Sequence, residues 1–257
     1  MSLLEFREVT VAFGAYVALE GVSLRLVEGE FVSLVGPTGC GKSTLLNVAA
    51  GLLPPTRGEV HLEGRPLRGL NPKAGYLFQQ DAILPWKTAL DNVTLPLVFR
   101  GVPLQEARAR ARAWLAKVGL EGFSDRYPHQ LSGGMRKRVG LAQVLIADPK
   151  LLLMDEPFSA LDVQTRQLME NELLRLWQED RKTVLFVTHD LEEAIALSDR
   201  VVVLSAGPAS RPIGDFPIPL PRPRDVAEVR LTPEFLRLHR EIWDLLRGEV
   251  MRAHARA

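Results

Sequence analysis

The stretch that most restricts the fold is Phe31-Val32-Ser33-Leu34-Val35, followed at once by Gly36-Pro37-Thr38-Gly39-Cys40-Gly41-Lys42-Ser43-Thr44. A nearly unbroken apolar run of strand length suits a parallel strand covered on both faces. The residues after it match G-x-x-x-x-G-K-[ST] and lead into a helix-forming segment, 42–50. Strand, glycine-rich loop and helix, in that order, form the setting in which backbone N–H groups wrap phosphates. In it a lysine reaches the outer phosphates and a hydroxyl holds Mg²⁺. A chain built on this unit is expected to carry helices against a parallel sheet and to bind a nucleoside triphosphate.

The rest of the pattern agrees with that expectation. Alternating apolar and polar residues at 3–11 and 17–27 predict half-buried strands ahead of the loop, and 58–62 and 74–78 predict two more. From 89 to about 147 the residues are helix formers with 3.6-residue spacing, as in Ala107, Ala111, Trp114, Leu115 and Val118. Gly119, Gly122 and Pro128 interrupt them. Strand (151–155), helix (163–179), strand (183–188), helix (191–197) and strand (200–204) then alternate, as in a parallel sheet covered by helices. The prolines between Pro208 and Pro223 predict an extended connector. Thr232-Pro233-Glu234 predicts a helix start, with Leu231, Phe235, Leu238, Ile242 and Leu245 on an apolar face that packs back on the core. The expected fold class is α/β: a P-loop NTPase core with a mixed sheet, an N-terminal antiparallel β part and an inserted helical subdomain. One domain is expected over 1–257, with a C-terminal extension from about 208.

Bulk properties remove some functions. A net charge of +1 gives no field suited to nucleic acid. One cysteine makes no internal disulfide framework and fits a reducing compartment. The N-terminus lacks the basic stretch and apolar core of a secretion signal. No apolar run approaches the ~20 residues that span a bilayer. The expectation is a soluble, cytoplasmic chain that reaches any membrane through a partner.

Two further motifs carry chemistry. Asp155-Glu156 ends the apolar run 151–154. Phosphate chemistry needs one acid on the water shell of Mg²⁺ and another to position or deprotonate the attacking water; Asp155 suits the first role and Glu156 the second. Leu131-Ser132-Gly133-Gly134-Met135 precedes a helix that Ser132 can cap, while Gly133 and Gly134 leave N–H groups open to an anion. Singly these are an acidic turn and a capped helix start; with the phosphate loop they point to ATP hydrolysis.

Together the motifs resemble the nucleotide-binding subunit of an ABC transporter, over residues 3–204. The resemblance implies ATP held by the whole loop from Gly36 through Pro37, Thr38, Gly39, Cys40, Gly41, Lys42 and Ser43 to Thr44. It implies Mg²⁺ held by Ser43, Asp155 and Gln79. Phe13 would stack on adenine, with Tyr16 as the fallback. Gln79, in preference to Gln80, would sense Mg²⁺ and the γ-phosphate. Glu156 would be the catalytic base, His189 would contact the γ-phosphate, and Asp162 would link two ATP sites. Ser132, Gly133 and Gly134 would close on ATP bound to the other subunit of a homodimer. Met135 and Gln143 depart from the commoner glutamine and arginine. Arg136-Lys137-Arg138 reads as the solvated face of its helix, not a nucleic-acid patch. Cys40 reads as a bystander whose alkylation would inhibit.

Asp81-Ala82-Ile83-Leu84-Pro85-Trp86 and Leu220-Pro221-Arg222-Pro223-Arg224-Asp225 resemble the importer branch that takes up nitrate, sulfonates and taurine. This implies integral membrane permease subunits and a solute-binding protein as partners, no nucleic acid, and a peripheral place at the cytoplasmic face of the inner or plasma membrane. Trp86 is the candidate permease contact; the alternative is a tryptophan filling the subdomain seam. Other possibilities are an ABC ATPase of another transporter branch, and a non-transport ABC ATPase acting on nucleic acid. The latter usually carries coiled coils, zinc hooks or tandem cassettes, and the sequence shows none.

Overall fold

The computed structural model describes residues 2–80 and 82–255. Asp81, which opens the importer-like stretch, lies outside the described residues. In chain order the first elements are β1 (Ser2–Phe13), β2 (Tyr16–Val27), β3 (Phe31–Val35), α1 (Lys42–Ala49), β4 (Arg57–Leu62), β5 (Arg65–Pro66) and β6 (Ala74–Leu77). Three helices follow: α2 (Ala89–Phe99), α3 (Leu104–Lys117) and α4 (Gly133–Leu145). The chain continues through β7 (Leu151–Asp155), α5 (Val163–Glu179), β8 (Thr183–Val187), α6 (Leu191–Leu197) and β9 (Arg200–Leu204). It ends with β10 (Pro212–Pro217), α7 (Val226–Val229) and α8 (Pro233–His254).

The strands form two sheets. One is antiparallel, in the order β2-β1-β4-β5. The other runs β10-β9-β3-β8-β7-β6, parallel except for β10. Residues of the parallel strands alternate between two cores, as the two-residue period of a strand requires. Val32, Leu34, Leu151, Leu153, Leu185, Val187, Val202 and Leu204 face the antiparallel sheet and α1. Phe31, Val35, Leu152, Met154, Val184, Phe186, Val201 and Val203 face the helical side. With both faces covered, the strands read as continuous apolar runs.

This topology places the site. β3 lies between β8 and β9, and β7 lies beside β8. The loop after β3, the acids ending β7, the histidine after β8 and the glutamine after β6 therefore emerge at the same carboxyl edge. Ligands of α/β sheets bind in the crevice outside that edge.

Two expectations about the C-terminal part change. The region between Pro208 and Pro223 is not only a connector: β10 pairs antiparallel with β9 at the sheet edge, where a proline costs least. In α8, Thr232 Oγ1 accepts from the Phe235 N–H at 3.3 Å, and Phe235, Leu238, Ile242 and Leu246 are buried. The helix packs back on α6 and β10. Leu231, at 81 % exposure, is not part of that face. Among the described residues no helix is long and apolar enough to cross a membrane.

Candidate active site

α1 opens at Gly41, whose φ of 94° is left-handed. A Cβ there would strain the backbone and lie 2.8 Å from the Leu19 side chain. No side chain caps the helix, so its first N–H groups stay available to an anion at the positive end of the helix dipole. Lys42 is buried and its Nζ donates to the carbonyls of Gly36 (2.9 Å) and Pro37 (3.0 Å), which draws the ammonium back across the loop. Ser43 Oγ donates to Asp155 Oδ1 at 3.0 Å.

Burial pushes the Asp155 carboxyl above the usual carboxylate range. Neighbouring Glu156 adds to this, while hydrogen bonds from Ser43 and Tyr76 oppose it. Tyr76 donates to Asp155 Oδ2 at 3.5 Å, and its own phenol is raised by burial and by that carboxylate. Such a carboxylate is stabilised by a nearby cation. The hydroxyl, carboxylate and amide oxygens of Ser43, Asp155 and Gln79 are hard donors that fit Mg²⁺. Among the described residues no cluster of three His, Cys, Asp or Glu side chains could hold a metal.

Glu156 follows β7 with a left-handed φ of 43°, a conformation costing on the order of 1–3 kcal/mol. Its N–H donates to Val187 O and its carbonyl accepts from Ser159 Oγ, each at 2.9 Å, which over-determines the turn. Its Oε2 meets His189 Nδ1 at 2.9 Å and accepts from Gln79 Nε2 at 3.4 Å. A carboxylate held between an imidazole and an amide can orient and deprotonate a water. Lys42, Ser43, Glu156, His189, Gln79 and the ring of Phe13 line one cleft of about 540 Å³. Tyr16 lines it too, and both aromatic rings stand about half exposed at its mouth. Gln80 lies elsewhere, beside Ile83, Arg136 and Gln143.

Ser132, Gly133, Gly134 and Asp162 do not join that cleft. Ser132 caps α4 by accepting from the Met135 N–H at 3.3 Å. Gly134 is needed where α4 meets α5, since a Cβ would come 2.7 Å from Thr165 Cγ2. Asp162 caps α5, and the hydrogen bond from Thr165 holds its carboxyl below the usual range. Met135 packs partly buried against the helical core.

One sequence expectation is corrected and two readings are narrowed. The Cys40 side chain is buried in the core behind the loop, not in the cleft, and burial raises its thiol. It is therefore poorly placed for alkylation. The triplet Arg136-Lys137-Arg138 is not a solvated face: Lys137 is buried and donates to the Gln79 carbonyl at 2.8 Å, while Arg138 donates to Val118 O. Trp86 fills no seam, being 70 % exposed. Tyr76 and Lys137 support the site and are not marked by the motifs. Lys137 was legible in helical phase, since Gly134, Lys137 and Leu141 fall on one buried face of α4.

The model of the ABC transporter family matches residues 19–159. An uncharacterized ABC transporter ATP-binding protein of Methanocaldococcus jannaschii is 48 % identical over 92 % of this chain and 86 % of its own length. The taurine import ATP-binding protein of Shigella sonnei is 45 % identical over 80 % of this chain and 81 % of its own. A solved ATP-binding cassette, dimeric in a post-hydrolysis state with ADP and Pi, superposes with a TM-score of 0.73 at 36 % identity. That match covers 84 % of this chain and 98 % of the cassette.

Proposed function

The chain belongs to the ABC transporter family as an ATP-binding subunit, and on that premise we propose that it powers import of a small solute of the nitrate, sulfonate or taurine kind through a membrane permease. It is an ABC-type ATPase. One arrangement carries the assignment of roles: Glu156 Oε2 shared by His189 and Gln79, at the edge of a cleft that also presents Lys42 and Ser43. In this scheme the N–H groups of the loop and of α1 bind the β- and γ-phosphates, and Lys42 turns from the Gly36 and Pro37 carbonyls to the nucleotide. Phe13 stacks on the adenine. Ser43, Asp155 and Gln79 would hold Mg²⁺, which supplies charge neutralisation on the phosphates. Glu156 orients the water and takes its proton, and His189 contacts the γ-phosphate while fixing the Glu156 carboxylate.

Ser132 to Gly134, outside the cleft of their own chain, serve the ATP of a second copy, and Asp162 lies between the two sites. Closure of that homodimer on ATP and its opening after hydrolysis move the helices α2–α4, which carry the permease. Exposed Trp86 is the proposed permease contact, and the chain sits peripherally on the cytoplasmic face of the membrane through it. A separate solute-binding protein selects the solute. The test is purification of the tagged chain from detergent-solubilised membranes. A permease should accompany it, and the complex in vesicles should take up taurine or nitrate only with ATP. Recovery of nucleic acid and no membrane protein would contradict the transport assignment.

A further inference from the structure

The segment beyond the sheet reaches the back of the catalytic loops through three arginines. Arg224 is buried and donates to the carbonyls of Ile195, Ala196 and Ser198, closing the C-terminus of α6. Arg222 pairs with Asp199 at 2.8 Å. Arg230 donates to both oxygens of Glu170 on α5, at 3.4 and 3.2 Å, and Glu170 has no exposed surface. One turn before Glu170, Arg166 donates to the Leu161 carbonyl, beside Asp162, and to Asp190, beside His189, at 3.1 and 3.4 Å. Asp190 in turn caps α6 by accepting from the Glu192 and Glu193 N–H groups. α6 is thus gripped at both ends, and His189 stands directly before it.

Stability alone does not account for this cluster. Burial raises the Glu170 carboxyl to about 7 against the pull of Arg230 and Arg166, and Glu193, also buried, leaves Oε1 without a hydrogen-bond partner. A buried ion pair is often matched or bettered in stability by apolar residues of similar size, which leaves fixed geometry as the contribution to test. The groups facing Glu170 are Arg166 on its own helix, Arg230 after α7, and Asp190 and Glu193 at the start of α6; Glu192 faces Arg230 at 3.8 Å.

We propose that Arg230, acting through Glu170, is a positioning residue for the His189–Glu156 pair, so that the C-terminal segment governs ATP hydrolysis without touching the nucleotide. The proposal rests on the roles assigned above to His189 and Glu156.

The test is steady-state ATP hydrolysis by the full chain, with thermal unfolding measured in parallel, for Arg230→Met, Arg230→Lys, Arg230→Met/Glu170→Met and His189→Ala. Arg230→Met should lower kcat by roughly tenfold to a hundredfold, the penalty of a small misplacement. KM for ATP should stay within about twofold, since ground-state binding is untouched. Arg230→Lys should recover most of the rate. The double variant keeps the question open to decision if the single one fails to fold: it should match the parent in thermal stability and remain slow. A stably folded double variant with parental kcat would overturn the proposal. If His189→Ala is slow while both Arg230→Met variants are fast, only the positioning role falls. Parental turnover by His189→Ala would overturn the assignment of His189 and this proposal with it.

Discussion

Two helices of this chain begin at glycine-rich segments, and they are finished differently. α1 starts at left-handed Gly41 with no side-chain cap, inside a cleft that also holds Lys42, Ser43, Glu156 and His189. α4 starts under Ser132, whose hydroxyl already accepts from Met135, and its N-terminus opens away from that cleft, beside Gly119, Phe123 and Met169. Both present the positive end of a helix dipole. The first is surrounded by the groups that act on a phosphate. The second has none of them, although under the proposed function its motif pairs with such a site in a second copy. A helix start without such groups, opening away from an open cleft, is what a site shared between two copies would require of each copy.

The contrast can be broken at either helix. Glu156→Gln should lower turnover by about a thousandfold or more while ATP affinity holds, because it removes a base and keeps the shape; appreciable hydrolysis would remove Glu156 from that role. Lys42→Ala should weaken ATP binding by roughly a hundredfold through loss of a charge-assisted phosphate contact; unchanged affinity by calorimetry would detach the α1 cleft from phosphate. Ser132→Ala should leave the affinity of a single chain for ATP unchanged, slow turnover, and cost about 1 kcal/mol of stability as a lost helix cap. A fall in single-chain affinity would mean that α4 serves its own cleft. Phe13→Ala should cost about 0.5–1.5 kcal/mol of ATP binding, the scale of an aromatic stacking contact. Tyr16→Ala should cost less, and the opposite order would move the adenine to Tyr16.

A pH-dependent effect concerns α5, the helix that Gly134 touches. An unfolded Glu170 loses its proton near 4.5, whereas the folded one holds it up to about 7. The native state binds more protons in that window, so Glu170 contributes stability at low pH that is lost as pH rises through about 7. Glu170→Gln lacks that loss. Its Tm relative to the parent should therefore rise between pH 5 and pH 8. A difference that does not change with pH would contradict the burial argument.

Much of this was legible in the sequence where local signals and burial agree. β3, β7, α5, α6 and β9 fall on the predicted residues, because apolar runs of strand length and Asp caps at 162 and 190 mark their limits. β10 was hidden because prolines argue against a strand and only the edge position permits one. The direction of the Cys40 side chain was not legible, because motif spacing gives a loop's backbone but not which way each side chain turns. The basic triplet 136–138 misled for a related reason: charge suggested solvent, while the 3.6-residue period put Lys137 on the inner face of α4. Ser132, Gly133 and Gly134 were recognisable as a motif, but their absence from the cleft lining is a property of the tertiary fold.

The most direct test of the shared-site account is the solution mass of Glu156→Gln with and without ATP. The account predicts a monomer without nucleotide and a dimer with ATP, reversed when Ser132→Arg is added. A chain that binds ATP and stays monomeric at high concentration would contradict it, and the outward-facing start of α4 would then have no second copy to serve.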